Sequence, residues 1–139
     1  MTYIYSAVVQ AAFNANTDSL AIEIDAPANT TIKIRRIRIT HDDGTATTSS
    51  DYFRKVKLVT ESAAGSGGSA YTPIPVDANG PASISTVNTG AFTVGTIDKT
   101  IDINSVHSAT DYLWQACDED DKIVVTGGGI FGIIINPAN

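Results

Sequence analysis

The sequence is poor in the residues that usually carry chemistry. Its 139 residues hold one cysteine, one methionine, one tryptophan and two histidines. The single cysteine, Cys117, excludes an intrachain disulfide and argues against a small disulfide-stapled secreted domain. Charge is also sparse, at 17% of residues against about a quarter in an ordinary soluble chain. No run approaches the roughly 18 apolar residues of a membrane helix. The start, "MTYIYSAVVQAAF", lacks the basic segment of a signal peptide and alternates like a strand. No long window has helical apolar spacing, so helices are not expected.

What is present is 42% hydrophobic residues, enough for a core in a chain sized for one domain. Thr, Ser, Asn and Gly fill the gap left by charge, a mix that favours strands and turns. The net charge of −6 opposes nucleic acid or an anionic membrane as partner. That charge is split. Lys33, Arg35, Arg36, Arg38, Arg54, Lys55 and Lys57 crowd one stretch, and beyond it only Lys99 and Lys122 are basic, against nine acids. Such a molecule can pack head to tail with its copies or sit on a charged partner. Two solvated strand faces are the plainer reading.

Period-two alternation recurs along the chain. "DSLAIEID" sets Leu20, Ile22 and Ile24 against Ala21, Glu23 and Asp25. In "TIKIRRIRIT" the parity of Ile32 and Ile34 differs from that of Ile37 and Ile39, so Arg35–Arg36 marks a bulge or bend. "YFRKVKLVTE", "ASISTVNT" and "AFTVGTIDKTIDINSV" read as further strands. "DYLWQACDEDD" reads as a strand leading into an acidic turn. "KIVVTGGGIFGIIIN" reads as two strands around glycines that suit a hairpin or a close backbone approach. The expectation is an all-β, single-domain β-sandwich over 1–139, a jelly roll or related Greek key of about seven to nine strands.

Enzymatic constellations are thin. His41 beside Asp42 and Asp43 could ligate a metal, but a solvated turn is the simpler account. His41 or His107 could serve a hydrolase, yet no nucleophile elbow is present. Four acids after Cys117 disfavour a reactive thiolate. The "DEDD" run, Asp118 to Asp121, lacks the alternating ligand spacing of a calcium loop. Tyr52 and Phe53 beside Arg54 and Lys55 only loosely suggest base stacking. Trp114, Tyr112 and Asp111 could build a carbohydrate site, which keeps a glycan-binding jelly roll, such as a head-fibre or tail-fibre tip, as the alternative function. The glycines at 65, 67 and 68 are not a phosphate loop, because no lysine follows and Pro73 and Pro75 forbid a helix.

The most specific stretch is "GSGGSAYTPIPVD", inside a loop or arm at 61–77. Its first half reads as a loose Gly/Ser hinge. Tyr71, Thr72, Pro73, Ile74, Pro75 and Val76 read as a proline-stiffened arm, pre-organised to lie on a neighbour. With Arg35, Arg36, Arg38 and Arg54 they are the candidate partner contacts.

Five features occur together: Ile4-Tyr5-Ser6, Arg36-Ile37-Arg38-Ile39, Lys57-Leu58-Val59, the Gly65–Asp77 stretch, and Asp121-Lys122-Ile123-Val124-Val125 before Gly127-Gly128-Gly129. Their order resembles the capsid decoration, or cement, proteins of tailed bacteriophages; Asp102 to Cys117 departs most from the pattern. The resemblance implies a β-sandwich, made in the host cytoplasm, that sits on the outer capsid surface of the virion, usually as a homotrimer. It would bind the major capsid protein and act mechanically, with no cofactor, no metal and no catalytic residue.

Overall fold

A computed structural model describes residues 3–40, 53–107 and 110–137. These residues contain no helix, and the all-β expectation holds. In chain order the strands are β1 (Tyr5–Ser6), β2 (Ser19–Asp25), β3 (Ile32–Ile34), β4 (Arg36–Ile39), β5 (Phe53–Ala63) and β6 (Ser69–Tyr71). They continue with β7 (Ile74–Pro75), β8 (Thr86–Thr93), β9 (Thr96–His107), β10 (Tyr112–Gln115), β11 (Ile123–Val125) and β12 (Ile130–Pro137). The twelve exceed the expected number because Arg35 splits one strand in two and the 61–77 segment, read as a loop or arm, contributes the short strands β6 and β7.

The main sheet has the order β6-β8-β2-β12-β5-β9, with every neighbouring pair antiparallel. Among the described residues no two strands consecutive in sequence pair with each other. Thr93 ends β8 and Thr96 begins β9, yet these strands lie four spacings apart in the order. Flat, that is about 19 Å at ~4.8 Å per strand. Only Val94 and Gly95 join them, and three peptide steps reach ~11 Å at most. The sheet must therefore curl. Register shifts between Leu58/Val59, Thr60/Glu61 and Glu61/Ala63 bend β5 against β9 and supply the curvature.

The curl gives the sheet two apolar faces. On one, the ribbon β3–β4/β10–β11 packs Ile37, Tyr112, Ile123 and Val125 over Val56, Leu58, Phe131 and Ile133. The Ala116 N–H donates to the Arg35 carbonyl at 2.9 Å and makes the ribbon continuous across the slip. Inside the curl lie Leu20, Val59, Phe92 and Ile134, with Val94 against them. Leu20, Val56, Leu58, Val59, Phe131 and Ile134 are all fully buried, each worth about 1.5–3 kcal/mol of transfer free energy.

One face assignment from the sequence is overturned. Leu20 does not share a face with Ile22 and Ile24. The ladder skips Ala21, between Leu20 and Ile22, and this bulge turns Leu20 into the curl.

Candidate functional site

Pro73 and Pro75 keep the arm extended, and it pairs with the chain's own N-terminal strand. Tyr5 lies opposite Pro75 and Ser6 opposite Ile74, and the Val76 N–H donates to the Ile4 carbonyl at 2.8 Å. Pro73 is buried, Tyr71 and Pro75 are half-buried, and Thr72 is exposed. Ile74 and Val76 stand 58% and 66% exposed. Ile4, Val8 and Ile84 are exposed as well, so this end of the molecule leaves apolar surface in water.

The Gly/Ser half of the stretch is not a loose hinge. Ser66 and Thr93 exchange both backbone hydrogen bonds, at 3.0 and 3.1 Å. Gly68 lies against the Phe92 ring, and Gly65 sits where a Cβ would meet the Thr93 carbonyl oxygen at 2.4 Å. The segment closes the open side of the curl.

The basic stretch divides into used and unused cations. Lys33 donates to Glu119 at 2.6 Å, Lys57 to Asp18 at 2.6 Å, and Arg38 to Asp111 at 3.3 Å. Arg54 is buried and its Nη2 donates to the Thr110 carbonyl at 2.9 Å. Arg35 and Arg36 are exposed and make no ion pair among the described residues. They lie where the β3–β4 edge borders an open groove of about 2370 Å³. Pro73, Val76, Arg35, Arg36, Arg38 and Arg54 all line this groove, whose apolar walls include Ile22, Ile24 and the exposed Val8 and Ile84. Tyr71, Thr72, Ile74 and Pro75 do not line it.

Other candidates resolve into structural roles. The Asp118 carboxylate caps its own turn, accepting from the Asp120 and Asp121 N–H groups. Glu119 is clamped by Lys122 and Lys33, which hold its carboxyl down at about 2. No three His, Cys, Asp or Glu side chains converge on a cation position among the described residues. Tyr112 is buried, its hydroxyl donating to Asp102 at 3.2 Å; burial and that carboxylate push it up to about 12. Trp114 packs on the same core and Asp111 is taken by Arg38, so these three residues form no exposed aromatic platform. His107 stacks edge-on with Phe53 at 5.5 Å. His41, Asp42, Asp43 and Tyr52 lie outside the described residues.

Sequence reading missed one pair. Glu23 of β2 and Glu61 of β5 both point into the curl and are only 1% and 5% exposed. They meet over Gly132 of β12, where a Cβ would stand 3.1 Å from Glu61 Oε2. The Gly65 N–H donates to Glu23 Oε2 at 2.6 Å, and the Gly95 N–H donates to Glu61 Oε1 at 2.8 Å. Burial first, then a hydrogen bond with Glu23, push the Glu61 carboxyl up to about 7. Burial and the Glu23 charge also raise Asp25. Two carboxyl groups with one proton could act as an acid–base dyad, but this burial leaves no opening for a substrate. The alternation "AIEID" does place Glu23 opposite Ile22 and Ile24, a signal that reads locally as a solvated face.

No protein-family model, curated protein or solved structure matches the chain.

Proposed function

We propose that this chain is a non-enzymatic virion protein that decorates the capsid shell of a tailed phage and stabilises it by adding contacts between capsomers. The observation that carries the reading is the shared groove. A proline-stiffened arm and an arginine-edged strand, far apart in sequence, border one apolar-walled trough with exposed Ile74 and Val76 beside it. That combination suits an extended, acidic segment of a partner protein. Apolar wall contacts give affinity, and Arg35 and Arg36, which form no ion pair among the described residues, give orientation. The five-part sequence pattern supplies the identity of the partner as the major capsid protein. Self-association as a trimer, and a place on the outer capsid surface, belong to the same proposal.

Such a protein works mechanically. Internal pressure must break more interface to open the shell, so rupture shifts to higher temperature. Virions stripped of this chain should rupture at lower temperature and lower osmotic shock than intact ones, and adding the purified chain back should restore both. Equal rupture thresholds with and without the chain would remove the clamping role.

A further inference from the structure

Glu23 and Glu61 sit where an ionised pair is hardest to keep. Each is more than nine-tenths buried, and each spends one oxygen on a backbone amide, Gly65 for Glu23 and Gly95 for Glu61. Their other oxygens, Glu23 Oε1 and Glu61 Oε2, have no donor. Two buried carboxyl groups that interact repel when both are charged and bond strongly when one carries a proton. A proton fills the vacancy with what is at hand. A divalent cation would need more oxygens than these two, because calcium takes about six to eight, and among the described residues no third acidic side chain joins them.

The two amides anchor the two connections that close the curl. Gly65 lies on the β5–β6 segment and Gly95 on the β8–β9 turn, and Ser66 and Thr93 stitch those connections together. Among the described residues the buried cation, Arg54 of β5, donates to the Thr110 carbonyl, and no positive charge acts on Glu61. β6, β8 and β12 carry no acid or base except Tyr71. Asp25, on the same face of β2, adds to the repulsion. Lys57 on β5 is held by Asp18, and Asp98 and Lys99 of β9 are exposed.

We propose that Glu23 and Glu61 share one buried proton and act as a pH-responsive latch, which holds the Gly65 segment and the Gly95 turn closed over the inner face of the curled sheet and releases them when the proton leaves. The latch is independent of the capsid reading. Rising pH places two charges in the curl, and the cheapest relief is to let water reach them by lifting the two glycine connections. The strands of the outer core, β5 and β12 at Leu58 and Ile133, stay closed.

Amide hydrogen exchange on ¹⁵N-labelled protein, corrected for the intrinsic rise with pH, tests this. Protection at Gly65 and Gly95 should fall at least about tenfold between pH 5.5 and pH 8, while Leu58 and Ile133 keep theirs. Glu61→Gln, whose amide can donate to Glu23 without titrating, should flatten the profile. In the unaltered chain, ¹³C titration of the Glu61 carboxyl should have its midpoint near neutrality. An ordinary glutamate midpoint, or protection at Gly65 and Gly95 that is flat with pH, would overturn the latch. So would recovery of protection at pH 8 on adding millimolar calcium chloride, which would make the pair a cation site. The carboxyl titration decides even if the Gln variant fails to fold.

Discussion

An added Cβ at Gly65 would stand 2.4 Å from the Thr93 carbonyl oxygen and 2.5 Å from Leu20 Cδ1. Neither neighbour can yield cheaply, since one is backbone and the other is fully buried. Gly65→Ala should therefore cost about 2–3 kcal/mol, as overpacking of a tight site does, read as a lower urea midpoint at unchanged slope. Gly67, two residues on, has nothing within 4 Å of its missing Cβ and a φ of +90°. Its need is conformational rather than steric, so Gly67→Asn should cost under about 1 kcal/mol, because asparagine tolerates the left-handed region. Equal penalties at the two positions would contradict the seated segment. Composition alone reads three glycines as looseness. What separates Gly65 from Gly67 is a contact with Leu20 and Thr93, and local sequence does not show which distant residues will arrive. Glu23 and Glu61 were hidden for the same reason. Period two placed Glu23 opposite the isoleucines correctly, but that face is interior only because the sheet curls.

At the scale of elements, the isoleucine parity change in "IKIRRIRI" located the break at Arg35, where β3 ends and β4 begins. The bulge at Ala21 left no such mark, because Leu20, Ile22 and Ile24 alternate without a flaw; only the partner ladder reveals it. The "GGG" run reads as a hairpin or a close backbone approach, and the structure has the close approach. A Cβ at Gly127 would meet the Ala28 carbonyl oxygen at 2.1 Å, and β11 and β12 pair with other strands. The free edge of β3–β4 gives the element-scale prediction. Arg35 and Arg36 are exposed and unpaired among the described residues, so reversing both to glutamate should leave the fold intact. If the chain decorates a capsid as proposed, its retention on the shell should fall about tenfold and lose its present salt sensitivity, as expected for charges that orient a partner. Replacing Pro73 and Pro75 with glycine should weaken the same retention by restoring chain entropy to the arm. Undiminished retention in both variants would take the groove out of the capsid contact. Far-ultraviolet circular dichroism checks that the sheets survive.

For the whole molecule, sheet order and titration act together. Every strand pairs with one distant in sequence, so loop-closure entropy is spent before any pairing returns free energy, and refolding should be slow, with time constants of milliseconds to seconds or longer. Stability should depend on pH in an unusual direction for an acidic chain. Glu61 holds its proton in the folded state up to about 7, while in the unfolded chain it loses it near the ordinary 4.5. Between those values the folded state binds more protons than the unfolded one, so stability falls as pH rises through this window and levels off above it. Glu119 does not oppose this. Its carboxyl, held at about 2, contributes a stability that is complete above 4.5 and is lost only as pH drops towards 2. Asp18, lowered by its bonds to Lys57 and Asn136 against the cost of burial, is likewise silent above its ordinary range. The melting temperature should therefore be highest near pH 5 and lower by roughly 5 °C at pH 8. Glu61→Gln should abolish that difference, because its side chain no longer titrates. A melting temperature that climbs from pH 5 to pH 8 would mean that the paired carboxylates at the surface, and not the buried pair, set the acid–base balance of the fold.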